Sequence, residues 1–369
     1  MKKNIIKIVA IGILLSVVLA SFSACNVPDA DTEESQEQTF EKIEITEEDD
    51  TEADTEPEEE KKAIDLYIIA GQSNAAGYTR INNTVLAQLW DKYNIGSENV
   101  IYAGRAETTA NVNTPQVSTV ANEIDWQPAK AGFGKTTSHM GAEVGMAKVL
   151  SEEYYTGNRT AGIIKLAHGG TSLVGGMGGE NAANGNWVSP TFAELRKYDY
   201  TGIHGGLYRA LLAQVEKNVA ELQEMGYEEI SIKGLFWMQG ESDRGTYESV
   251  FDKAITCFIS DIRRDLGEIT GEDLSTLPIM IGEISRTCDG AKEGMVTLNE
   301  QYIEMQRAVA EKVENVYIIP SAQFEIVTLD SSGNEKLDPY QNDKVHWNTT
   351  QMFEIGELVG RCIIDNILT

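Results

Sequence analysis

The sequence predicts one α/β domain over residues 63–369, with a parallel sheet covered by helices on both faces. Short apolar runs alternate along this part of the chain with longer stretches of helical periodicity, and no segment repeats another. Hydrophobic residues make up 41% of the chain, enough to bury a sizeable core. Strands that alternate with helices favour one sheet rather than two separate domains.

Each element follows from its own pattern. Apolar runs rich in Ile, Val and Leu and bounded by polar or small residues are typical of strands buried in a parallel sheet. Stretches with apolar residues at helical spacing, often closed by glycine, are typical of helices that cover such a sheet. The predicted strands are 64–70, 161–167, 230–238, 277–284 and 315–320; the predicted helices are 141–155, 205–226, 247–267, 298–314 and 349–368.

Residues 1–24 are predicted to be a lipoprotein signal peptide. Basic residues in "MKKNIIK" precede "IVAIGILLSVVLA", an apolar stretch that is short for a membrane span and typical of a signal-peptide core. Small residues lie directly before Cys25, as in the bacterial lipobox, whose cysteine is lipidated. The expected location is the extracellular face of the bacterial cell membrane, anchored through Cys25, and plain secretion is the alternative.

Residues 25–62 are predicted to be an acidic, disordered linker. Residues 26–60 contain seventeen Asp or Glu, one Lys and almost no large apolar side chain. Such a segment cannot offset the entropy lost on folding. The whole chain has a formal net charge of −28 at pH 7, which disfavours binding to nucleic acid or to anionic lipid headgroups. We therefore expect no nucleic-acid partner and no membrane contact except through the lipid.

The remaining cysteines do not suggest a disulfide framework or a zinc site. Cys257, Cys288 and Cys362 are widely spaced, without a Cys-x-x-Cys pair or neighbouring histidines. We expect them to be small core residues, with one disulfide as an alternative. No metal site is predicted.

Three polar, glycine-bearing segments each follow a predicted strand. "GQSNAAG" follows the first strand, "HGGTSL" the second and "QGESD" the third. Ligands of an open parallel sheet bind at the carboxyl ends of its strands, so these loops are expected to meet at one edge. The segment "DKVHWNTT" (343–350) precedes the final helix and would add Asp343 and His346.

These segments supply the groups that acyl transfer by serine requires. Ser73 would attack the ester, His346 would act as general base and later as general acid, and Asp343 would orient the imidazole. The candidate oxyanion donors are the peptide N–H of Ser73, that of Gly169 or Gly170, and the amide of Gln239.

The combination resembles the SGNH (GDSL-like) hydrolase superfamily. The Gly-x-Ser-x-Gly elbow of another hydrolase fold is not present, because Ala75 stands two residues after Ser73. An early serine with a late Asp-x-x-His is similar to SGNH enzymes. The blocks "GQSNAAG", "GGTSL", "WMQGESD" and "DKVHW" look like the sialate O-acetylesterase-like branch, which includes carbohydrate esterase family six, over roughly residues 64–368.

The resemblance implies a flavodoxin-like, three-layer α/β/α sandwich with a five-stranded parallel sheet and no metal or organic cofactor. It also assigns roles to residues of this chain: nucleophile to Ser73, base to His346, acid to Asp343, glycine block to Gly169 and Gly170, and the position of an asparagine in other branches to Gln239.

Residues beside these motifs are expected to contact the substrate, to brace a loop or to pack in the core. The candidate substrate contacts are Gln72, Asn74, Glu241 and Trp347, the last as a platform that stacks on a sugar ring. Glu241 and Asp243 resemble a glycosidase pair, but side chains two residues apart on one loop are better suited to brace that loop or to fix a sugar hydroxyl. Trp237 is expected in the core.

The other histidines and one insertion show no clear catalytic pattern. His139 and His204 lack an acidic partner at telling spacing and are expected to be structural or to line the pocket. His168 either reaches the site or makes ordinary loop hydrogen bonds. The glycine-rich segment 175–187 is either a mobile loop over the site or a surface loop, and it lacks a phosphate-loop motif.

The leading hypothesis is a lipid-anchored serine esterase that removes O-acetyl groups from carbohydrate, either acetylxylan or another polysaccharide, or sialic acid. One alternative is a catalytically idle carbohydrate-binding lipoprotein, which would not need Ser73, Asp343 and His346 together. Another is a lipase or thioesterase, which would need a long apolar acyl groove that the sequence does not suggest.

Overall fold

A computed structural model of the chain describes residues 61–106, 123–175, 185–200, 204–289, 292–324, 328–329, 335–336 and 344–368. The strands are β1 (Ala63–Gly71), β2 (Thr79–Arg80), β3 (Val100–Ala106), β4 (Ile124–Pro128), β5 (His139–Met140), β6 (Thr160–Ala167), β7 (Glu229–Met238), β8 (Ile279–Gly282), β9 (Val316–Ile319), β10 (Thr328–Leu329) and β11 (Glu335–Lys336). The helices are α1 (Ser73–Ala76), α2 (Asn83–Leu89), α3 (Glu143–Glu153), α4 (Pro190–Arg196), α5 (Gly206–Glu224), α6 (Glu248–Thr270), α7 (Met295–Lys312) and α8 (Thr349–Asn366).

The main sheet has seven strands in the order β4-β3-β6-β1-β7-β8-β9. All neighbours in it are parallel except the edge strand β4, which is antiparallel to β3. All five predicted strands are present, as β1, β6, β7, β8 and β9, but the expected number of five is wrong. The two missed strands lie together at one edge, where Gly104 and Arg105 interrupt the apolar run of β3 and β4 is short and largely polar.

Helices cover both faces of the sheet, as the three-layer prediction requires. The side chains of β1 alternate between two cores: Leu66 and Ile68 pack on one face, and Tyr67 and Ile69 pack on the other. The first core contains residues of α4, α5, α6 and α7, whereas the second contains residues of α2, α3 and α8. This period-two alternation in a fully buried central strand is what a parallel sheet between two helical layers requires.

The register of the central strands brings three loops together. Gly71 at the end of β1 pairs with Ala167 at the end of β6 and with Met238 at the end of β7. Strands β3, β4 and β6 lie on one side of β1, and strands β7, β8 and β9, which come later in the chain, lie on the other side. The strand order therefore reverses at β1, and the carboxyl ends of β1, β6 and β7 mark the topological switch point of the sheet. The predicted convergence of the "GQSN", "HGG" and "QGESD" segments is therefore confirmed.

Two further features follow from the described residues. No helix among them is long and apolar enough to cross a membrane. Cys257, Cys288 and Cys362 are free thiols; Cys288 is buried and the other two are half-buried. The predicted signal peptide, Cys25 and the acidic segment 26–60 lie outside the described residues.

Candidate active site

Ser73 lies at the first residue of α1, directly beyond the carboxyl end of β1. Gly71 makes the turn possible: its φ is 141°, and a Cβ there would lie 2.1 Å from the carbonyl oxygen of Met238. The peptide N–H of Gln72 donates to that same oxygen at 3.0 Å. The serine is thus fixed between β1 and β7, with 5% of its surface exposed.

A buried ion pair supports the other end of α1. Lys165 and Glu143 have no side-chain exposure and are 3.0 Å apart, and Lys165 also donates to the carbonyl oxygen of Ala76 at 3.3 Å. Burial lowers the pKa of Lys165, against the opposing charge of Glu143. Gly77 ends the helix at φ 88°, where a Cβ would lie 2.6 Å from the peptide nitrogen of Gly141. The nucleophile turn therefore rests on tightly packed backbone and a buried charge pair.

The neighbours of Ser73 brace this edge rather than face solvent. Asn74 is fully buried and donates to Glu241 Oε1 at 2.7 Å. Gln72 Oε1 accepts from the peptide N–H groups of Gly240 and Ser242, each at 3.3 Å. Burial raises the pKa of Glu241, while hydrogen bonding by Asn74 and the charges of Arg244 and His346 oppose that rise. The bracing alternative for Glu241 is supported by these contacts.

Asp243 connects the loops after β6 and β7. Its carboxylate accepts from Ser172 Oγ at 2.5 Å, from the peptide N–H of Leu173 at 2.7 Å and from Gln239 Nε2 at 2.6 Å. Burial raises its pKa, and these hydrogen bonds oppose the shift. A carboxylate held by three donors is suited to fix loops, not to act as a glycosidase acid.

Gln239 has both of its amide hydrogens in use. Nε2 donates to Asp243 and to the carbonyl oxygen of Thr171 at 3.0 Å, so the side chain joins the loop after β7 to the loop after β6. A carbonyl and a carboxylate as neighbours fix which end of the amide carries nitrogen. Donation to an oxyanion would require one of these two bonds to be exchanged, and that role stays a prediction.

The glycine block lies beside the serine turn. The peptide N–H of His168 donates to the carbonyl oxygen of Gly71 at 3.1 Å, and Thr171 Oγ1 donates to the carbonyl oxygen of His168 at 2.7 Å. Gly169 is buried and Gly170 is exposed, with φ 68°. Both bonds involve the backbone of His168, so the two predicted roles of its imidazole stay predictions.

His346 lies against the segment that follows α1. Its ring stacks on Tyr78, with the centroids 4.8 Å apart and an interplanar angle of 26°, and its Nε2 atom is buried. Thr79 Oγ1 donates to the carbonyl oxygen of Trp347 at 2.8 Å, which fixes the base-bearing segment to β2. These contacts bring His346 to the same edge as Ser73. Asp343 and most of the segment 175–187 lie outside the described residues, so the predicted acid and the predicted loop stay predictions.

The two tryptophans both belong to the core. Trp237 has 1% of its surface exposed and packs edge-on against Trp187, which confirms its expected place. Trp347 has no exposed surface, and its Nε1 donates to the carbonyl oxygen of Phe324 at 3.1 Å. Its predicted role as a sugar platform does not fit this placement, because a ring buried on both faces offers no surface to a sugar.

The remaining histidines, His204 and His139, contact neighbouring side chains. His204 stacks on Tyr198 with the centroids 4.1 Å apart, a structural contact. His139 on β5 interacts with Thr136 Oγ1 at 2.7 Å. Burial, and then the charges of Arg80, Lys135 and His346, lower the pKa of His139.

Several residues at this edge are not among the residues that the sequence motifs single out. Tyr78 is the stacking partner of His346, and Lys135 Nζ lies 4.1 Å from the centre of the Tyr78 ring. Arg244 directly follows the "QGESD" block, and its position after two acidic residues is the one signal that could have marked it. Among the residues that the structure describes, no group of three or more His, Cys, Asp or Glu side chains is placed to hold a metal ion.

Replacing Gln239 with Ala is expected to lower kcat for a small acetyl ester by about 10²-fold. The loop after β6, which carries Gly169 and Gly170, loses its hydrogen bond from Gln239, and the oxyanion loses a candidate donor. The free energy of unfolding should fall by about 1–3 kcal/mol, since buried Asp243 loses a donor. Steady-state kinetics and urea unfolding measure the two effects.

The matched control is Gln214→Ala, which removes a buried glutamine on α5 that donates to Asn218 Oδ1 at 2.7 Å. It should leave kcat within about twofold. A change confined to KM in Gln239→Ala would instead assign Gln239 to ground-state binding.

Comparison with known families gives one match. Residues 63–365 match the family model described as "Carbohydrate esterase, sialic acid-specific acetylesterase". A sequence comparison with curated proteins gave no match.

Solved structures that resemble this chain are distant in sequence. NanS is 13% identical with a TM-score of 0.52, covering 82% of this chain and 97% of that one. A protein from Arabidopsis thaliana is 18% identical with a TM-score of 0.49 and coverage of 84% and 100%. A carbohydrate acetylesterase from Xanthomonas citri is 14% identical with a TM-score of 0.48 and coverage of 82% and 56%. At these identities the likeness to NanS supports the fold alone.

Proposed function

We propose, from the premise that the chain belongs to the carbohydrate esterase, sialic acid-specific acetylesterase family, that it removes O-acetyl groups from carbohydrate through an acetyl-enzyme on Ser73. The observation that carries the proposal is the register of Gly71 with Ala167 and Met238, which sets the serine turn between two polar loops. Acetylated oligo- or polysaccharide and acetylated sialic acid are the substrate classes. The proposal includes no cofactor.

In the first half-reaction, Ser73 Oγ attacks the ester carbonyl carbon while His346 Nε2 takes the hydroxyl proton. The negative charge on the carbonyl oxygen is stabilised by the peptide N–H groups of Ser73 and of Gly169 or Gly170. The N–H of Ser73 suits the task because Ser73 is the first residue of α1, and the first N–H groups of a helix have no acceptor within it. As the intermediate collapses, His346 returns the proton to the sugar oxygen, which leaves as an alcohol.

In the second half-reaction, His346 takes a proton from water, and the resulting hydroxide attacks the acetyl carbon. Collapse of this intermediate releases acetate and returns the proton to Ser73 Oγ. Asp343 would hold the imidazole in the tautomer that leaves Nε2 able to accept a proton, and the stack of His346 on Tyr78 supports the same ring orientation.

The experiment that tests the function measures acetate released by the full chain from a panel of acetylated xylans, pectins, mannans and sialoglycans. The Ser73→Ala protein, at equal concentration, is the control. We expect release from at least one member of the panel by the wild type and none above background by the variant. Absence of release from every acetylated glycan, with hydrolysis of long-chain esters instead, would replace the proposal with a lipase.

The location is part of the proposal. Lipid attachment at Cys25 would tether the domain to the outer face of the cell membrane, and the acidic segment 26–60 would act as a solvated spacer.

Replacing Cys25 with Ser is expected to move the protein out of the membrane fraction or to leave it unprocessed, because serine cannot form the thioether to lipid. Cell fractionation followed by immunoblotting measures this. Cys257→Ser, which changes a thiol far along the chain, is the control and should fractionate like the wild type. Unchanged membrane association of Cys25→Ser would contradict the lipobox prediction.

A further inference from the structure

We propose that Arg244 and Asp289 form a clamp that positions the base-bearing segment 344–346 against the nucleophile turn. The inference rests on the proposed function, in which His346 is the general base and Ser73 the nucleophile. The clamp follows from a continuous series of hydrogen bonds that begins beside the serine and ends two residues before the histidine.

The first part of the series joins α1 to Arg244. Asn74, next to Ser73, donates to the side chain of Glu241 at 2.7 Å. The backbone carbonyl oxygen of Glu241 accepts from Arg244 Nε, also at 2.7 Å. Asn74 has no exposed surface and Glu241 is 7% exposed, so these bonds form away from competing water. The position of Arg244 is thereby tied to the helix that carries the nucleophile.

The second part joins Arg244 to the segment before His346. Arg244 Nη2 donates to Asp289 Oδ2 at 3.2 Å, and Nη1 donates to Asn299 Oδ1 at 3.2 Å and to the carbonyl oxygen of Cys288 at 3.4 Å. The peptide N–H of Asp289 then donates to the carbonyl oxygen of Lys344 at 2.9 Å. One planar guanidinium therefore joins the loop after β7 to Cys288, Asp289 and Asn299, which lie 44 to 55 residues further along the chain.

The backbone of Asp289 is strained in support of this arrangement. Its φ is 56°, in the left-handed region that few residues other than glycine adopt, although Asp and Asn adopt it more readily than the rest. The carboxylate is held on both sides, by Arg244 and by Lys292 Nζ at 3.0 Å, and these cations lower its pKa against the effect of burial. A strained residue held by charges at the rim of a site is consistent with a positioning role.

Arg244 has little capacity left to bind a substrate directly. A guanidinium has five N–H donors, and its side chain already contacts the carbonyl of Glu241, the carbonyl of Cys288, Asn299 and Asp289. Only 14% of its side chain is exposed. Its effect on turnover is therefore expected to reach the substrate through His346.

The test compares Arg244→Lys with Arg263→Lys in the full chain. Arg263 is a buried arginine that donates to the carbonyl oxygens of Leu277 and Glu314, which precede β8 and β9 at the opposite edge of the sheet. Lysine keeps the charge at both positions but loses the fork. We expect kcat for p-nitrophenyl acetate to fall about 10–100-fold in Arg244→Lys, with KM within about threefold, because small misplacement of a catalytic group is costly. In Arg263→Lys, kcat should stay within about twofold.

Two variants of Asp289 separate the clamp from the strained backbone. Asparagine and glycine both tolerate positive φ, but only asparagine keeps an oxygen that accepts from Arg244. Asp289→Asn should therefore keep kcat within about threefold of the wild type, whereas Asp289→Gly should lose about as much as Arg244→Lys. Equal kcat for the two variants would contradict the clamp.

The imidazole of His346 reports its position directly. The chain has four histidines, so long-range ¹H–¹⁵N spectra are simple, and His346→Gln identifies the His346 signals. These signals should shift or broaden in Arg244→Lys and Asp289→Gly but not in Arg263→Lys. If Ser73→Ala abolishes turnover but Arg244→Lys leaves kcat and the His346 signals unchanged, the clamp is wrong and the proposed function stands. If Ser73→Ala keeps its turnover, the proposed function itself has failed.

Discussion

Replacing Ser73 with Ala is expected to lower kcat for p-nitrophenyl acetate and for acetylated glycans by about 10⁴-fold or more. Alanine removes the oxygen that attacks the ester and leaves only catalysis by the oxyanion donors and by binding. The fold should persist, because Ser73 is a small residue at the first position of α1, and its backbone carbonyl still accepts from the N–H of Gly77. Steady-state kinetics with purified protein, with circular dichroism to check the fold, measure the effect.

Ser242→Ala is the matched control for this variant. Ser242 lies at the same edge of the sheet, and its peptide N–H donates to Gln72 Oε1. This contact belongs to the backbone, so alanine keeps it. Its replacement should leave kcat within about twofold. More than a tenth of wild-type activity in Ser73→Ala would mean that the serine only forms the turn, and the acyl-enzyme mechanism would be lost.

The strands and the convergence of the loops could be predicted because both depend on local pattern and on general rules of topology. Each of the five predicted strands contains an apolar run, largely buried in β1, β6, β7 and β8 and half-buried in the middle of β9, and this signal does not depend on the rest of the fold. The parallel connection then places the loops after β1, β6 and β7 at one edge without further information. Strand β3 was missed because its three strong strand formers, Val100 to Tyr102, are followed by Ala103 and Gly104, which have low strand propensity, whereas all four residues of β9 are strong strand formers.

The roles of individual side chains were harder to predict, because burial is decided by distant parts of the chain. A tryptophan beside a catalytic histidine suggests a sugar platform, yet Trp347 is covered completely by the second core. In the same way, Gln72 and Asn74 suggest substrate contacts, but both turn inward and hold the "QGESD" loop. Apart from Glu241, the partners of Arg244 lie 44 to 55 residues away in sequence, so no local pattern marks them.

Replacing His346 with Ala should lower kcat as much as Ser73→Ala, about 10⁴-fold, because nucleophile and base act as a unit.

Replacing Asp343 with Ala should be milder, at about 10- to 10³-fold. The acid orients the imidazole and stabilises its charged form without taking the proton, so other groups partly replace it. In this chain one such group is Tyr78, whose ring stacks on His346 at 4.8 Å and restricts the imidazole independently of Asp343.

A double variant decides whether Tyr78 and Asp343 share the task of orienting the base. If both hold the same ring, removal of both should cost more than the product of the two single losses, since each single variant still has the other constraint. Tyr78→Ala, Asp343→Ala and the double variant therefore form a cycle, measured as kcat on p-nitrophenyl acetate. His204→Ala is the control, since that ring stacks on Tyr198 rather than on the site. Losses that simply multiply would show that Tyr78 and Asp343 act independently, and equal losses for Asp343→Ala and His346→Ala would make the acid indispensable to the base.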